Sequence, residues 1–466
     1  MKIVGCAWIC LPVLCSVLAA RSKPNVLLLV TDDQRPDTIA SLGNEVIETP
    51  NLDRLVKRGT TFKHATCANP LCVPSRAEIL SGCSSFRNGV LGMGAERINS
   101  ELTLLPVAMT SGGYHAWYSG KWMNNGKPLT QGYEETSGLF TGGGGTWKRG
   151  EVIRGRKGRS ITGYRNWTFK NAKGKPDLSK GIGLTPLTDK FIADGALAFL
   201  KRKTDQPFFL HVNFTGPHDP LVHPPGYKDK YKPAEMKLPL NFLSRHPFDH
   251  GNLEGRDEKL LPWPRTKADV LDELAVYYAV IDHIDKQVGR IIEQLRIDGR
   301  LENTYVIYTS DHGLALGSHG LMGKQNMYEH TIRVPLVIAG PGLPEGKQNN
   351  ALCYLRDLYP TICDLVDLPI PKSVEGRSLK PVLYGKADSV YSEIYGYFRD
   401  KQRMVRDKRW KLIHYPHIDR WQLFDLHDDP FERKDLIEDE GYVEVVRRLQ
   451  SKLARKMKEW EVFPFN

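Results

Sequence analysis

The sequence predicts an α/β sandwich with a largely parallel central sheet, followed by a smaller α+β domain with a short antiparallel sheet. Long apolar runs alternate with amphipathic helical patterns over residues 21–370, as in α/β folds. Short alternating runs separated by turns replace them over residues 371–466. A chain of 466 residues is long enough for a large domain and a smaller one.

Four apolar runs are the predicted central strands, because continuous apolar segments are typical of strands buried on both faces. They cover residues 24–33, 208–212, 305–309 and 334–338. Residues 187–201 and 269–299 have the period of amphipathic helices, with Gly299 as the predicted cap of the second. Ligands of such sheets bind beyond the carboxyl ends of the strands. Asp32-Asp33 and Asp311-His312 follow two of these strands, so one shared site is expected.

Two further segments differ from these long apolar runs in composition and in residue pattern. Residues 390–397, 402–406, 410–415 and 422–425 are predicted short strands, and residues 442–459 a basic terminal helix. Residues 138–184, rich in Gly, Lys and Arg, are predicted to be a long insertion or substrate loop.

Residues 1–20 are typical of a secretory signal peptide. Lys2 precedes a short apolar core, and two small residues, Ala19 and Ala20, end it. The core lacks a charged stop-transfer flank, so no stable membrane anchor is expected. Cys15 lacks the small residues expected ahead of a lipidated cysteine. A secreted or periplasmic location is therefore favoured over a lipoprotein.

The net charge and the cysteine content limit the classes of binding partner and the possible states of the thiols. The net charge of +11 favours a polyanionic partner, but no zinc-finger spacing or aromatic RNA-binding run supports nucleic acid. Five cysteines follow residue 20: Cys67, Cys72, Cys83, Cys353 and Cys363. An odd number leaves at least one thiol unpaired or chemically used. Cys353 and Cys363 either form a disulfide or are free buried thiols.

The acidic strand ends predict a metal site. Asp32-Asp33 alone would more commonly be a strand-end turn, but Asp311-His312 at a second strand end favours a shared cation. Three carboxylates with neutral donors suit Ca²⁺ or Mg²⁺ better than zinc.

Cys72 is the candidate nucleophile. The run Cys72-Val73-Pro74-Ser75-Arg76 precedes or opens a predicted helix, which places the thiol near a helix N-terminus. That position favours anionic groups and activated nucleophiles. For an isolated cysteine of an exported protein, burial or a disulfide is the commoner explanation.

The same run, followed by Leu80-Ser81-Gly82, resembles the signature of the type I sulfatases, which belong to the alkaline-phosphatase-like superfamily. Six further blocks occur in that family's order: Asp32-Asp33, Gly120-Lys121-Trp122, Gly216-Pro217-His218, Thr309-Ser310-Asp311-His312-Gly313 with Lys324, Arg333-Val334-Pro335-Leu336, and Gly376-Arg377-Ser378-Leu379. The resemblance covers essentially the whole mature chain. It implies an alkaline-phosphatase-like sandwich and hydrolysis of sulfate esters.

The resemblance also implies roles for individual residues. Cys72 would be converted to formylglycine by a formylglycine-generating or equivalent maturation enzyme, and its hydrated aldehyde would attack sulfur. One Ca²⁺ ion would be held by Asp32, Asp33, Cys72, Asp311 and His312. Arg76 and Lys121 would hold the nucleophile and the sulfate. His218 and Lys324 would serve the sulfate and the leaving oxygen.

Two positions depart from the family pattern. Met123 stands where the family often has a histidine that assists regeneration of the aldehyde, so Asn124, Asn125 or another residue would have to substitute. Cys83 stands where a basic residue usually follows Leu-Ser-Gly, and Arg87 is the predicted replacement.

The expected substrate is a sulfated carbohydrate, because the basic surface and the polar segment 138–184 suit a sulfated glycan. Five residues are candidates for shaping its pocket: His223, Tyr227, Tyr395, Tyr397 and Arg399. One alternative is a phosphatase or phosphodiesterase of the same superfamily, although these usually carry Ser or Thr as the nucleophile. Another is a non-catalytic relative that binds sulfated glycans, which Met123 alone supports.

Overall fold

A computed structural model describes residues 22–94, 97–143, 156–159, 161 and 163–461. The predicted signal peptide at residues 1–20 lies outside these ranges. Within them, no helix is both long enough and apolar enough to span a membrane.

The central sheet is mixed but mostly parallel, as the sequence predicts. Within the described ranges it has nine strands: β1 Asn25–Thr31, β2 Gly59–Thr66, β3 His115–Trp122, β4 Glu135–Thr141, β5 Thr168–Phe169, β6 Phe208–Asn213, β7 Thr304–Ser310, β8 Leu336–Ala339 and β9 Lys347–Tyr354. Their spatial order is β5-β4-β3-β6-β1-β7-β8-β2-β9. β1 lies between β6 and β7 and is parallel to both.

β8 runs antiparallel to both β7 and β2. The chain leaves β7 at the carboxyl edge of the sheet, and the connection to β8 contains no long crossover helix. It therefore re-enters the sheet from the edge at which it left, and antiparallel pairing follows.

Helices cover both faces of the sheet. Ten α-helices are described: α1 Pro50–Arg58, α2 Cys72–Ser81, α3 Ser85–Asn88, α4 Leu105–Ser111, α5 Thr188–Leu200, α6 Lys267–Ile297, α7 Glu329–Ile332, α8 Leu358–Leu365, α9 Lys380–Leu383 and α10 Val443–Glu461. Val26, Leu28 and Val30 of β1 face one apolar core, which includes residues of α2, α4 and α8. Leu27 and Leu29 face a second core, which includes residues of α5 and α6. This alternation in one fully buried strand accounts for its continuous apolar sequence.

The described part of the predicted insertion at residues 138–184 includes two strands, which corrects the expectation of a loop there, while residues 144–155, 160 and 162 lie outside the described ranges. Its first residues belong to β4, and β5 forms the outer edge of the sheet by pairing antiparallel with β4. Both strands lack the long apolar run on which the sequence prediction depended.

The C-terminal region forms the predicted four-stranded antiparallel sheet, β10 Ile394–Phe398, β11 Gln402–Arg406, β12 Trp410–Tyr415 and β13 Arg420–Asp425. Leu449 and Leu453 of α10 pack on Val405, Leu412 and Leu423 of this sheet. Arg406 and Lys411 in turn reach Glu329 of α7 in the larger part of the chain. The division at residue 370 stays a prediction.

Candidate active site

Cys72 is the first residue of α2 and is 1% exposed. Pro74 is tolerated in the first turn because the amide groups there have no acceptor within the helix. The hydroxyl of Ser75 donates to the backbone oxygen of Asp311 at 2.7 Å, which ties this turn to the end of β7. The helix start thus points the thiol at the carboxyl edge of the sheet, as the sequence predicts.

The sulfur of Cys72 is surrounded by three functional groups from distant parts of the chain. It lies 3.4 Å from Oδ1 of Asp32, 3.3 Å from Nε2 of His312 and 3.4 Å from Nζ of Lys324. Burial and Asp32 act to raise the pKa of the thiol, but Lys121 and Lys324 outweigh them and bring it to about 7. The site therefore stabilises negative charge at the position of this side chain.

The acidic residues converge because β1 and β7 are adjacent and parallel, with Thr31 paired to Ser310. Asp32 and Asp33 follow one strand, and Asp311 follows the other. Asp33 has a φ of 69°, in the left-handed region, so the chain turns and both consecutive carboxylates face the site. The amide of Asp33 donates to Oδ1 of Asp311 at 3.2 Å.

Three buried cations pair with these three carboxylates. Nε of Arg76 donates to Oδ2 of Asp311 at 3.0 Å, and Nζ of Lys324 lies 2.8 Å from Oδ1 of Asp33. Lys121 donates to Oδ2 of Asp32. Burial opposes ionisation of Asp32, yet Lys121 and other cations keep its pKa well below its usual range. The charges are thus balanced within the site.

Lys121 reaches the site because of the glycine before it. Gly120 has a φ of 106°, and a Cβ at this position would overlap the backbone oxygen of Asn213. The β3 register shifts here, between Ser119 and Gly120. A larger residue would force β3 away from β6 and move the Lys121 ammonium group.

His218 lies beside the cluster of three carboxylates, next to Asp33. Its Nδ1 is 3.0 Å from Oδ1 of Asp219, and its Nε2 is 4.0 Å from Oδ2 of Asp33. Burial and Lys324 lower the pKa of His218, but Asp33 and Asp219 raise it to about 10. The imidazole is therefore charged near neutral pH and can donate a proton. Arg256 holds Asp219 with two hydrogen bonds, of 2.8 and 3.0 Å.

The residues present fit a hard divalent cation. Asp32, Asp33, Cys72 and His312 each offer a ligand atom, and these atoms all lie within 4.8 Å of one another. The oxygens of Asp311, the fifth predicted ligand, accept from Arg76 and from two backbone amides. Burial lowers the pKa of His312, but Asp311 and Cys72 raise it to about 9. A divalent cation on these carboxylates would compete with that proton.

A cavity of about 730 Å³ opens above this cluster. His218 and Lys324 line it, together with Tyr164, Met123 and Arg399. Arg399 is the one member of the predicted pocket set found in its lining. The other four residues are not in this lining, and three of them pack or donate hydrogen bonds elsewhere. Tyr227 donates to Asp282, Tyr397 donates to Glu78, Tyr395 packs near Trp460, and His223 lies outside the lining.

The two departures from the family pattern have different surroundings. Met123 lines the cavity, while Asn124 donates to the backbone oxygen of Val73 at 3.0 Å. Asn125 accepts from the backbone amide of Ile98. Both asparagines are therefore engaged in local structure.

Cys83 is buried, with its sulfur 3.1 Å from the backbone oxygen of Ser373. The buried cation near this end of α2 is Arg356, which lies 3.3 Å from Glu78. Arg356 forms the ion pair at this end of α2, and the replacement role of Arg87 stays a prediction. All five cysteines after residue 20 are free and buried, so Cys353 and Cys363 do not form a disulfide.

Two residues of the site were missed from the sequence. Asn213, the last residue of β6, accepts from Arg76 and donates to the hydroxyl of Tyr118 at 2.7 Å. Applying the strand-end argument to the predicted strand at 208–212 would have found it. Tyr164 donates to Oδ2 of Asp32 at 2.6 Å. It comes from the segment treated as an insertion, and no sequence signal marks it.

Comparison with known proteins agrees with this geometry. The Sulfatase family model matches residues 24–368, and the model described as N-sulphoglucosamine sulphohydrolase, C-terminal, matches residues 317–459. An arylsulfatase of Clostridium perfringens is 31% identical, with 93% of this chain and 94% of that protein covered.

A named relative and a solved structure that are both described in terms of glucosamine are also similar to this chain. The N-acetylglucosamine-6-O-sulfatase of Bacteroides thetaiotaomicron is 26% identical over 94% of this chain and 87% of its own length. A structure solved with its substrate D-glucosamine-2-N,6-O-disulfate superposes with a TM-score of 0.72 at 25% identity, covering 94% of this chain and 98% of that one.

The fold and the sequence relatives together place the chain in the alkaline-phosphatase-like class of hydrolases. The chain belongs to the sulfatase family. It is a sulfuric ester hydrolase, so the phosphatase alternative and the non-catalytic alternative are both disfavoured.

Proposed function

We propose that the protein is an exported sulfatase that removes sulfate from sulfated glycans, with a formylglycine made from Cys72 and one bound Ca²⁺ ion. The observation that carries the proposal is the placement of the Cys72 sulfur within 3.4 Å of Asp32, His312 and Lys324. A buried side chain among acids and cations suits a covalent nucleophile better than it suits packing.

The Cys72 sulfur stands in for the carbon-bound oxygens of the hydrated aldehyde. Formylglycine supplies a hydroxyl nucleophile that a thiol cannot provide. Asp32, Asp33, Asp311 and His312 would hold Ca²⁺ together with residue 72, and the ion would supply positive charge to the site when bound.

The chain's own residues perform the remaining work. Arg76 and Lys121 are positioned to hold the anionic sulfate, because both are buried cations at the carboxyl edge of the sheet. Lys324 lies between Asp33 and residue 72, where it stabilises charge that develops as the S–O bond breaks. His218 carries a proton that it can transfer to the leaving alcohol oxygen, and Asp219 orients the ring.

The glycan assignment is supported by the cavity and by the relatives. The cavity is large enough for a saccharide and contains both charged groups and apolar surfaces, including Trp167 and Phe398. Arg399 enters it from the turn between β10 and β11. One relative is named an N-acetylglucosamine-6-O-sulfatase, and one similar structure is described with D-glucosamine-2-N,6-O-disulfate as its substrate. A glucosamine sulfate is therefore the first substrate to test.

Three experiments test the proposal. Mass spectrometry of the Cys72 peptide from the native host should show the aldehyde form, and wholly unmodified thiol would contradict the mechanism. Sulfate release should then be measured on a panel of saccharides sulfated at defined positions. Chelation should remove the activity and Ca²⁺ should restore it, whereas full activity after exhaustive chelation would refute the metal assignment.

A further inference from the structure

Tyr164 makes a buried hydrogen bond to the candidate metal site. Its hydroxyl lies 2.6 Å from Oδ2 of Asp32, and the residue is 8% exposed. A phenol hydroxyl donates one hydrogen bond and a carboxylate only accepts, so Tyr164 is the donor and Asp32 the acceptor.

The two carboxylate oxygens of Asp32 have different partners. Oδ2 accepts from both Tyr164 and Lys121. Oδ1 faces the sulfur of Cys72 at 3.4 Å. Two donors on one oxygen resist rotation of the carboxylate, so the other oxygen stays directed at the centre of the site.

The phenol ring is itself held from several sides. It packs edge-on against Trp167 and His218, at centroid distances of 4.9 and 4.8 Å. The ammonium group of Lys121 lies 5.2 Å from the ring centroid. The ring thus fills the space between the two cationic residues and the acid.

The backbone at Tyr164 is equally constrained. Tyr164 has a φ of 55°, in the left-handed region. A Cβ on the preceding Gly163 would lie 2.7 Å from the backbone oxygen of Asp219. Gly163 therefore packs directly against Asp219, the residue that orients His218. A larger residue at position 163 would displace the turn and with it the phenol of Tyr164.

We infer that Tyr164 is a positioning residue: its hydroxyl fixes the Asp32 carboxylate so that Oδ1 is presented to the cation and to residue 72. The inference rests on the proposed cation site and assigns a part of it to the segment between β4 and β5. Loss of a partner that orients a metal ligand weakens metal affinity by about 10- to 100-fold.

The test compares calcium binding by the full mature chain and two variants, using isothermal titration of the metal-free proteins. Tyr164→Phe removes the hydroxyl and keeps the ring. Tyr114→Phe is the matched control, because Tyr114 is also buried and donates one hydrogen bond, of 2.9 Å, to the backbone oxygen of Pro24 at the opposite edge of the sheet.

The dissociation constant for Ca²⁺ should rise about 10- to 100-fold in Tyr164→Phe and stay within about twofold in the control. Melting in chelator should be similar for the two variants, while the rise in melting temperature caused by Ca²⁺ should shrink in Tyr164→Phe alone. A merely structural role would lower the metal-free melting temperature instead.

Unchanged affinity in Tyr164→Phe, with normal binding by the unsubstituted chain, would overturn the role of Tyr164 and leave the cation site standing. Absence of saturable Ca²⁺ binding by the unsubstituted chain would overturn both.

Discussion

The ammonium nitrogen of Lys324 lies 3.4 Å from the sulfur of Cys72, and the same nitrogen lies 2.8 Å from Oδ1 of Asp33. One buried cation therefore serves both the nucleophile position and a candidate metal ligand. Burial lowers the pKa of Lys324, but Asp33 and Cys72 raise it well above its usual value, so the side chain stays charged. Nucleophile and cation site are thus electrostatically coupled.

Replacing Cys72 with alanine should abolish sulfate release while leaving the fold intact. The side chain is small and sits at a helix start, so the free energy of unfolding should change by about 1 kcal/mol. Sulfate release and thermal melting measure the two effects. Cys83→Ala is the control, because Cys83 is also buried but its sulfur contacts backbone oxygens away from the site. Equal activity of Cys72→Ala and the unsubstituted enzyme would refute the mechanism.

Replacing Asp219 with asparagine should move the alkaline limb of the pH–rate profile to lower pH. The charge of Asp219 helps to raise the pKa of His218 to about 10, and the protonated form is lost as the pH rises through that value. Removing the charge lowers this pKa, by about 1–3 units for an adjacent ion. Initial rates from neutral to alkaline pH measure the shift.

Asp249→Asn serves as the control for that shift, because Asp249 lines the same cavity without contacting His218. An alkaline limb that stays in place in Asp219→Asn would show that His218 does not supply the proton.

Replacing Arg399 with glutamine should raise KM for an anionic saccharide and leave hydrolysis of a small aryl sulfate nearly unchanged. Arg399 lines the cavity and forms no ion pair among the described residues. Loss of one charge-assisted hydrogen bond at an exposed position should raise KM about tenfold. Arg420→Gln is the control, since Arg420 is exposed in β13, at the other edge of the same sheet, and stacks on Phe248. Equal effects on both substrates would contradict a role in glycan binding.

Replacing Glu329 with glutamine should destabilise the junction between α7 and the C-terminal sheet. Glu329 contacts Arg406 at 2.6 Å and Lys411 at 2.7 Å, and both cations are buried. Arg406 would then lose its carboxylate partner while Lys411 keeps Glu432, so the substitution should cost about 3 kcal/mol of unfolding free energy. Glu393→Gln, which breaks a more exposed pair with Lys452, should cost less than about 1 kcal/mol.

The effect of Glu329→Gln should also depend on pH. Burial raises the pKa of Glu329, but Arg406 and Lys411 outweigh it and hold the pKa below the ordinary value of 4.5. Because the pKa of Glu329 is lower in the folded protein than in the unfolded chain, its ionised carboxylate stabilises the fold fully above the ordinary pKa of 4.5. This stabilisation is lost as the pH falls toward the lower pKa of the folded state. Denaturant unfolding at about pH 7 and pH 4 should show a smaller difference at the lower pH. A difference independent of pH would mean that the charge of Glu329 is not the cause.

Four strands of the central sheet, β1, β6, β7 and β8, could be predicted from the sequence because continuous apolar runs mark strands that are buried on both faces. The acids after β1 and β7 meet because those strands are adjacent and parallel. Strands β2, β3, β4, β5 and β9 were missed because each is short or contains polar or exposed residues that interrupt an apolar run. The resemblance to sulfatases supplied Lys121, His218 and Lys324, which no local pattern marks.

The sequence by itself determined the α/β class, the acidic strand ends and the position of Cys72 at a helix start, because periodicity and helix-terminus chemistry are local properties of the chain. Only the tertiary structure decided that Tyr164 reaches Asp32 and that Arg356 pairs with Glu78. It also decided that Arg399, rather than four other candidates, lines the cavity. Those contacts join residues far apart in sequence, and their geometry depends on how strands and loops pack, which residue spacing does not specify.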